Sequence, residues 1–395
     1  MTPLAVTATA VVSALGRGTA ATLGALRESR SGLRHNDLPA ATLDTFIGRV
    51  EGLEAVSVAP ELYTYDCRNN RLAQLALEQD GFAAAVAEAR RRLGASRIGV
   101  FLGTTSSGIL EVEDAYRHRD PQTGALPPGM RFAETFNLYS ASAYVREALH
   151  LDGPGVVVSA ACASSAKVFA SASRAIAAGL CDAAIVGGVE TLCLTTMHGF
   201  ASLGLLSDRP CRPCDRDRSG ISLGEGAGFA LLEKHPRRPH TLALLGYGES
   251  ADAYHMSTPH PEGRGAALAM RAALAMASVA PQDIDYVNLH GTGTPSNDVA
   301  EDAAVCRVLG LSVPRSSTKG ATGHALGAAG IVEAIITLLC VANDFLPATV
   351  NTKEVDPAIR GRVLLDTCST RVKRALSNSL GFGGSNCSLI FGEPS

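Results

Sequence analysis

The sequence predicts an α/β fold built from two similar halves, and three observations lead to this prediction. Short apolar runs typical of buried strands alternate with longer helix-like runs along the 395 residues. Apolar residues make up 46% of the chain and charged residues only 18%, which is enough apolar material for a large core. In each half a predicted strand runs into a loop rich in Gly, Thr and Ser, at 103–108 and at 290–294.

The first half contains three predicted strands and one clear helix. The apolar runs 97–102, 155–159 and 183–188 predict buried strands. Residues 164–179 predict a helix that ends at a glycine. Helices between such strands are typical of a sheet that is covered on both faces.

The second half has the same alternation of predicted helices and strands. Residues 265–278 predict a helix, which leads into a strand at 285–289. A second helix is predicted at 330–342, and a terminal strand at 388–391. A duplicated α/β unit follows from these two halves.

A charged, proline-rich link at 233–239 separates the halves, and we place the boundary between 1–237 and 238–395. The net charge of −3 argues against a nucleic-acid partner. No apolar run approaches the ~20 residues of a membrane span. The N-terminus lacks a secretory pattern, and ten scattered cysteines are typical of reduced thiols, so we expect a cytoplasmic protein.

Cys162 lies between a predicted strand and the start of a predicted helix. The helix dipole favours a thiolate at this position, and nearby backbone N–H groups can hold an oxyanion. Cys162 is therefore a candidate nucleophile. A small buried core thiol is the alternative interpretation.

Two histidines, His290 and His324, lie in Gly/Thr-rich loops that each follow a probable strand. Neutral imidazoles can donate hydrogen bonds to a carbonyl that becomes an enolate, and they can shuttle protons near pH 7. Lys319 precedes His324 by five residues in the same loop, where an ammonium can orient groups electrostatically. Glu333 follows His324 by nine residues on the next helix. Each of these residues alone is also compatible with a structural role.

Phe382 is an aromatic residue among glycines, where the backbone can approach a reaction centre and the ring can act as a gate. A ring that fills a gap beside a turn is the alternative.

Cys211 and Cys214 form a single CxxC pair with no second pair and no histidine at zinc spacing. We therefore predict no metal site.

Taken together, the motifs resemble the β-ketoacyl-acyl-carrier-protein synthases of the thiolase superfamily. The resemblance covers nearly the whole chain, and its motifs occur in family order at 11–16, 161–165, 187–190, 250–256, 290–294, 319–327 and 381–386. Two histidines, rather than a histidine and an asparagine, resemble the carrier-primed elongating enzymes.

The resemblance implies a thiolase-like duplicated five-layer αβαβα fold, with the nucleophile in the first half and both histidines in the second. It implies a reaction without a cofactor, because the substrates arrive on the phosphopantetheine of an acyl carrier protein. Cys162 would take up the acyl chain, and His290 and His324 would bind the thioester carbonyl of malonyl-carrier as carbon dioxide leaves. The resulting carbon would attack the acyl thioester and give a 3-oxoacyl chain two carbons longer.

Further roles follow from the same resemblance. The N–H groups of Cys162 and Phe382 would form the oxyanion hole. Supporting charges and substrate contacts would come from Lys319, Glu333, Asp298, Thr292, Thr294 and Gly383. Some relatives bind a monovalent cation, and the sequence leaves this open for the present chain.

Three segments, 67–71, 103–108 and 376–379, resemble ketosynthases of bacterial aryl polyene pigment clusters more than housekeeping fatty-acid enzymes. The resemblance places Ser106 near the floor of the acyl pocket, where housekeeping enzymes usually carry a bulky aliphatic residue. A small residue would leave room for a long conjugated chain. Housekeeping fatty-acid elongation by the same chemistry is the alternative function.

Arg68 and Arg71 lie three residues apart on a probable helix and share a face. The resemblance suggests that they dock the acidic carrier protein, with Arg209 and Arg212 as weaker candidates. A solvated basic face is the alternative.

An alternative of another class is a non-catalytic chain-length-factor subunit, which shares the fold and shapes the pocket of a heterodimer. Such subunits typically lose the nucleophile, whereas this chain keeps Cys162. The sequence leaves open a homodimer and a heterodimer with such a homologue. A degradative thiolase is disfavoured, because Cys387 does not match the second cysteine of that branch.

Overall fold

The computed structural model describes residues 1–39, 41–234 and 241–394. The predicted boundary between 237 and 238 lies outside the described residues. The strands are β1 (Leu4–Ser13), β2 (Gly16–Arg17), β3 (Leu33–His35), β4 (Phe46–Gly48), β5 (Ile98–Gly103), β6 (Gly155–Val158), β7 (Ala183–Glu190), β8 (Leu223–Gly224), β9 (Gly226–Glu233), β10 (Ala243–Ala251), β11 (Tyr286–Asn288), β12 (Arg315–Ser316), β13 (Phe345–Leu346), β14 (Cys368–Ser369), β15 (Arg374–Gly381) and β16 (Ser385–Gly392).

The helices include all those predicted above, with ends within two residues. They are α1 (Gly18–Arg27), α2 (Arg68–Leu77), α3 (Phe82–Leu93), α4 (Ile109–Arg117), α5 (Ser140–Ala148), α6 (Ser164–Ala177), α7 (Leu194–Ser202), α8 (Arg264–Ala277), α9 (Pro295–Leu309), α10 (Lys319–Thr322) and α11 (Ala329–Asn343).

The main strands form two sets of five with the same topology. The spatial order is β6-β5-β7-β9-β1 in the first set and β12-β11-β15-β16-β10 in the second. When the five strands of each set are numbered 1 to 5 along the chain, both sets have the spatial order 3-2-4-5-1. In each set the first two pairings are parallel and the last two antiparallel. The predicted duplication is confirmed. The sets meet where β1 and β10 pair at two positions.

Three helical layers enclose the two sets of strands. Helices α2, α3 and α5 pack on the outer face of the first set, with Phe82 and Tyr144 in their cluster. Helices α6 and α11 lie between the sets, where Phe169 and Ile335 belong to one core. Helices α8 and α9 cover the outer face of the second set, around Met270. The five-layer αβαβα prediction is therefore confirmed.

The central helix α11 explains the most apolar part of the sequence. The window Leu326–Asn343 is long and apolar enough to cross a membrane, but 83% of it is buried inside the protein. It is a core helix that packs between two sheets. Its N-terminal end, and that of α6 beside it, point toward the site described next.

Candidate active site

Cys162 lies in the turn between β6 and α6, two residues before the first helical residue. The preceding Ala161 has φ +48°, a left-handed conformation that costs a non-glycine residue about 1–2 kcal/mol. Such strain is concentrated at functional sites. Only 5% of Cys162 is exposed, and burial raises the pKa of its thiol to about 11, against the opposing charge of Lys319. The resting nucleophile is therefore a neutral thiol.

His324 comes from the other half of the fold and contacts this thiol. Its Nε2 lies 3.1 Å from the Sγ of Cys162. Its backbone is fixed by two hydrogen bonds to the 222–224 segment, of 2.8 and 2.9 Å. Burial, and then the charge of Lys319, hold the pKa of His324 well below its usual range. The imidazole is therefore neutral near pH 7 and able to accept the thiol proton.

His290 completes the trio of reactive side chains. Its ring packs edge-to-face on that of His324, with centroids 5.3 Å apart. Burial lowers its pKa well below the usual range, and the neighbouring Lys319 and His324 act in the same direction. The side-chain donor atoms of Cys162, His290 and His324 all lie within 4.8 Å of one another. The structure thus brings together the three residues that the sequence predicted.

Lys319 and Glu333 form a buried ion pair beside His290. The Lys319 Nζ donates to the His290 carbonyl at 2.5 Å and lies 3.3 Å from its Nδ1. Burial raises the pKa of Glu333 to about 7, although the Lys319 charge opposes this shift. Because only 1% of Lys319 is exposed, its charge acts on both histidines through a dry interior.

Phe382 follows the last residue of β15 and approaches the nucleophile with its backbone. Its N–H hydrogen-bonds the Cys162 sulfur, which lowers the pKa of that thiol. Gly381 permits this approach, because a Cβ there would lie 3.0 Å from the carbonyl oxygen of Ala160. The Phe382 ring packs on Phe200 of α7, with centroids 5.5 Å apart. The Phe382 N–H thus points at the Cys162 sulfur, and its role as an oxyanion-hole donor stays a prediction.

A cleft opens from these residues to solvent, and Thr292, Thr294 and Gly383 are among the residues that line it. The two threonine hydroxyls hydrogen-bond each other at 2.9 Å. Asp298 is buried below them and accepts the backbone N–H of Gly293 at 3.2 Å. Asp298 therefore supports the threonine loop and does not line the cleft.

Behind His290, three buried side-chain oxygens have no hydrogen-bond partner among the described residues: Asn288 Oδ1, Glu333 Oε2 and Ser377 Oγ. Asn288 and Ser377 are register partners on β11 and β15, and the Asn288 amide donates to the Glu333 carbonyl at 3.3 Å. Hard oxygen ligands of this kind suit an alkali or alkaline-earth cation rather than zinc. They are the residues that could hold the cation left open by the sequence.

The surroundings of Arg68 and Arg71 disfavour their predicted role in docking, which stays a prediction. Arg68 is only 9% exposed, and its guanidinium forms ion pairs with Glu225, which is fully buried, and with Glu54. Arg71 is paired through two nitrogens with Asp66, at 2.6 and 2.8 Å. Neither guanidinium is a free surface charge. The two arginines do belong to one helix, α2, as predicted, but the side of α2 that carries Arg68 faces the protein interior.

The other docking candidates and Ser106 remain predictions. Arg209 is exposed, whereas Arg212 is partly buried and lies 3.7 Å from a carboxylate oxygen of Asp215. Ser106 is buried, and its hydroxyl hydrogen-bonds Glu190. It is not among the residues that line the cleft around Cys162.

Two residues at the site were missed by the sequence analysis. Glu301 accepts the backbone N–H groups of His290 and Gly291, both at 2.8 Å, and burial raises its pKa to about 7. Its position three residues after Asp298, on the same helix face, was the available signal. Phe200 had no such signal, because one aromatic residue in an apolar helix is typical of any core.

The whole chain matches known ketosynthases. Residues 1–237 match the family model of the β-ketoacyl synthase N-terminal domain, and residues 242–353 match that of the C-terminal domain. The 3-oxoacyl-[acyl-carrier-protein] synthase 2 of Vibrio cholerae is 37% identical over 319 residues, which cover 75% of this chain and 76% of that protein.

Two solved structures share the fold over the full length. One is the ketosynthase ApeO in complex with its chain length factor ApeC from Xenorhabdus doucetiae, with a TM-score of 0.90 and 36% identity, covering 100% of this chain and 98% of the other. The ishigamide ketosynthase/chain length factor has a TM-score of 0.89 and 28% identity, covering 100% and 99%. The chain therefore belongs to the β-ketoacyl synthase family and is a β-ketoacyl-[acyl-carrier-protein] synthase, an acyltransferase.

Proposed function

We propose that this condensing enzyme elongates the conjugated chain of aryl polyene biosynthesis, as one subunit of a ketosynthase dimer. The observation that carries the proposal is its full-length likeness to ApeO, a ketosynthase solved with its chain length factor. The resemblance of segments 67–71, 103–108 and 376–379 to aryl polyene ketosynthases adds support.

In the first half-reaction, acyl transfer, the acyl chain moves from its carrier to Cys162. The 3.1 Å contact lets His324 Nε2 take the thiol proton as Sγ attacks the thioester carbonyl. The Phe382 N–H then stabilises the negative charge that develops on the carbonyl oxygen. The carrier thiol leaves with a proton, and the acyl group stays on sulfur.

In the second half-reaction, decarboxylation followed by condensation, malonyl-carrier enters the cleft past Thr292 and Thr294. Neutral His290 and His324 donate hydrogen bonds to its thioester carbonyl. These bonds stabilise the enolate that forms when the carbon–carbon bond to the carboxylate breaks. The enolate carbon attacks the acyl-Cys162 thioester. Carbon dioxide and a 3-oxoacyl-carrier leave, and the expelled Cys162 thiolate takes up one proton from water.

A second ketosynthase-type chain fits the edge of the first set of strands. Among the described strands, β6 pairs with β5 alone, and all four of its residues are only partly buried. The aromatic rings of Tyr139 and Phe132 are exposed, and the Tyr139 hydroxyl would lie 2.6 Å from a Cβ at Gly155, the first residue of β6. A bare apolar edge strand is an interaction site. We propose that a chain-length-factor-like homologue or a second copy pairs there.

A reducing, cytoplasmic location suits the thiols. All ten cysteines are unpaired, eight of them buried, and the nucleophile itself must stay reduced to accept an acyl group.

Fatty-acid elongation is the second candidate function. The relative from Vibrio cholerae is a 3-oxoacyl-[acyl-carrier-protein] synthase 2, and that name specifies no polyene substrate. Both candidates share the same chemistry and differ only in the acyl chain. A non-catalytic chain-length subunit is disfavoured by the intact Cys162–His324 contact.

The test is elongation of matched substrates by the chain alone and by the chain purified with its candidate partner. Malonyl-carrier is supplied with either an aryl-polyenoyl carrier or a saturated acyl carrier of equal length, and intact-mass spectrometry detects the two-carbon extension. Extension of the aryl-polyenoyl carrier in preference would support the proposal, and preference for the saturated carrier would establish fatty-acid elongation instead. Cys162→Ala is the control that must lose both products.

A further inference from the structure

Glu190, the last residue of β7, is a fully buried carboxylate that the condensation chemistry does not use. Its Oε2 accepts hydrogen bonds from the backbone N–H and the hydroxyl of Thr105, both at 2.8 Å, and from the backbone N–H of Gly327 at 2.9 Å. Its Oε1 accepts from the Ser106 hydroxyl. The carboxylate therefore joins the loop after β5, in the first half, to the turn before α11, in the second.

The Gly327 side of this contact controls the segment that carries His324. Gly327 follows His324 by three residues, and the intervening Leu326 has φ +42°. A leucine in the left-handed region is strained, so the turn needs a strong anchor. A Cβ on Gly327 would lie 2.4 Å from the Glu190 Oε2 and 2.8 Å from the Thr105 nitrogen. Only glycine lets the turn close onto the carboxylate.

The same end of β7 also touches the segment that carries Cys162. A Cβ on Gly188 would lie 2.6 Å from the Cβ of Ser165, in the first turn of α6, and 3.1 Å from the Cα of Ala328. The last three residues of β7 thus lie between the start of α6, which follows Cys162, and the start of α11, which follows His324. Glu190 therefore lies at the junction of these two segments.

We propose that Glu190 is a positioning residue for condensation, which sets the approach of His324 to Cys162 by holding the Gly327 N–H. Burial is the main cause of the raised pKa of the Cys162 thiol, and the negative charge of Glu190 adds a smaller contribution in the same direction. The inference rests on the ketosynthase reaction and not on the acyl chain, so it stands apart from the polyene proposal.

Two variants separate geometry from charge. Glu190→Ala leaves the N–H groups of Thr105 and Gly327 buried without an acceptor and frees the turn. Glu190→Gln keeps one oxygen for both N–H groups, and the Ser106 hydroxyl can rotate to accept from the new amide. The assay is decarboxylation of malonyl-carrier alone. This reaction needs no acyl chain, so its outcome does not depend on knowing which acyl chain the enzyme prefers.

For Glu190→Ala we expect kcat for decarboxylation to fall by about 100-fold with KM nearly unchanged, the loss typical of a misplaced catalytic group. For Glu190→Gln we expect kcat within about threefold of the parent enzyme, because the positioning contacts persist. The rate of Cys162 alkylation by iodoacetamide, followed against pH, should move to lower pH in Glu190→Gln, since a negative charge near the thiol is gone. This shift reports only the charge of residue 190, so it is the kcat loss at nearly unchanged KM in Glu190→Ala, and its rescue in Glu190→Gln, that separate a positioning role from a merely structural one.

Asp302→Ala is the matched control for lost stability. Asp302 is a buried carboxylate in α9 that accepts the N–H groups of Arg360 and Gly361, at 2.8 and 3.1 Å, and pairs with the buried Arg315 at 2.9 Å, so its removal should cost at least as much stability as removal of Glu190. We expect this variant to lose thermal stability and keep kcat. The proposal is overturned if folded Glu190→Ala decarboxylates like the parent enzyme. It is equally overturned if kcat falls in both alanine variants in proportion to their melting temperatures.

Discussion

The Nε2 of His324 lies 3.1 Å from the Sγ of Cys162, although the two residues are 162 positions apart and belong to different halves of a duplicated fold. Each half supplies one turn that leads into a helix, and the two turns meet where α6 and α11 pack together between the sheets. The duplication therefore produces the active site. One turn carries the Cys162 thiol and the other carries the His324 imidazole.

Cys162→Ala should separate the two half-reactions. The histidines remain in place, so malonyl-carrier should still lose carbon dioxide, whereas no acyl-enzyme can form and condensation should stop. Intact-mass spectrometry of the enzyme and of acetyl-carrier measures both steps. Loss of decarboxylation in a folded Cys162→Ala enzyme would show that the thiol takes part in that step.

The two histidines should differ in which half-reaction they serve. His324→Ala removes the contact to Cys162 and should slow acyl transfer and decarboxylation alike. His290→Ala leaves that contact intact and should slow decarboxylation by about 10²–10⁴-fold, the range for general acid–base groups, while acyl-enzyme formation continues. Single-turnover acylation and malonyl decarboxylation are measured on both variants. Equal effects on both steps in both variants would contradict this division.

Removal of the Lys319 charge should shift the pH dependence in a defined direction. Lys319 lowers the pKa of His290 and of His324, so Lys319→Ala should raise both pKa values and move the acid limb of decarboxylation to higher pH. The same charge lowers the pKa of Cys162, so its loss should slow alkylation by iodoacetamide at a fixed pH. Lys167→Ala, which removes a lysine paired with Glu249, is the control and should leave both profiles unchanged.

The residues that sequence analysis could identify share one property. Cys162 and His290 lie in turns that directly follow a strand, and His324 lies in the turn between α10 and α11; in all three, small neighbours leave the backbone free to approach a substrate. This signal is local, and it is visible in a single sequence. The alternation of strands and helices likewise predicted the α/β class and the duplication, but not the order of the strands in each half.

The contacts that sequence analysis could not predict depend on distant partners. The helical period showed that Arg68 and Arg71 share a face, but not that Glu225, 157 positions away, covers the Arg68 end of it. Glu301 and Glu190 act through backbone N–H groups of loops that approach them only in the folded chain. Tertiary contacts of this kind leave no pattern in neighbouring residues.

Phe382→Ala should expose the nucleophile without removing its oxyanion donor. The backbone N–H that reaches Cys162 remains, while the ring that packs on Phe200 at 5.5 Å is lost. Because Cys162 is only 5% exposed, alkylation by iodoacetamide at a fixed pH should become several-fold faster. Mass spectrometry of the labelled enzyme gives the rate. An unchanged rate would show that the ring does not limit access to the thiol.

Arg68→Ala should destabilise the fold without weakening carrier binding. The Glu225 carboxylate, fully buried, would keep the N–H of Val50 at 2.9 Å but lose its cation. Removing one partner of a buried ion pair costs about 3–5 kcal/mol of unfolding free energy, whereas Arg71→Ala, which breaks a more exposed pair, should cost about 1 kcal/mol or less. Denaturant unfolding measures both losses. Since neither guanidinium is free at the surface, KM for the carrier should stay the same in Arg68→Ala; a raised KM at unchanged stability would support its predicted docking role.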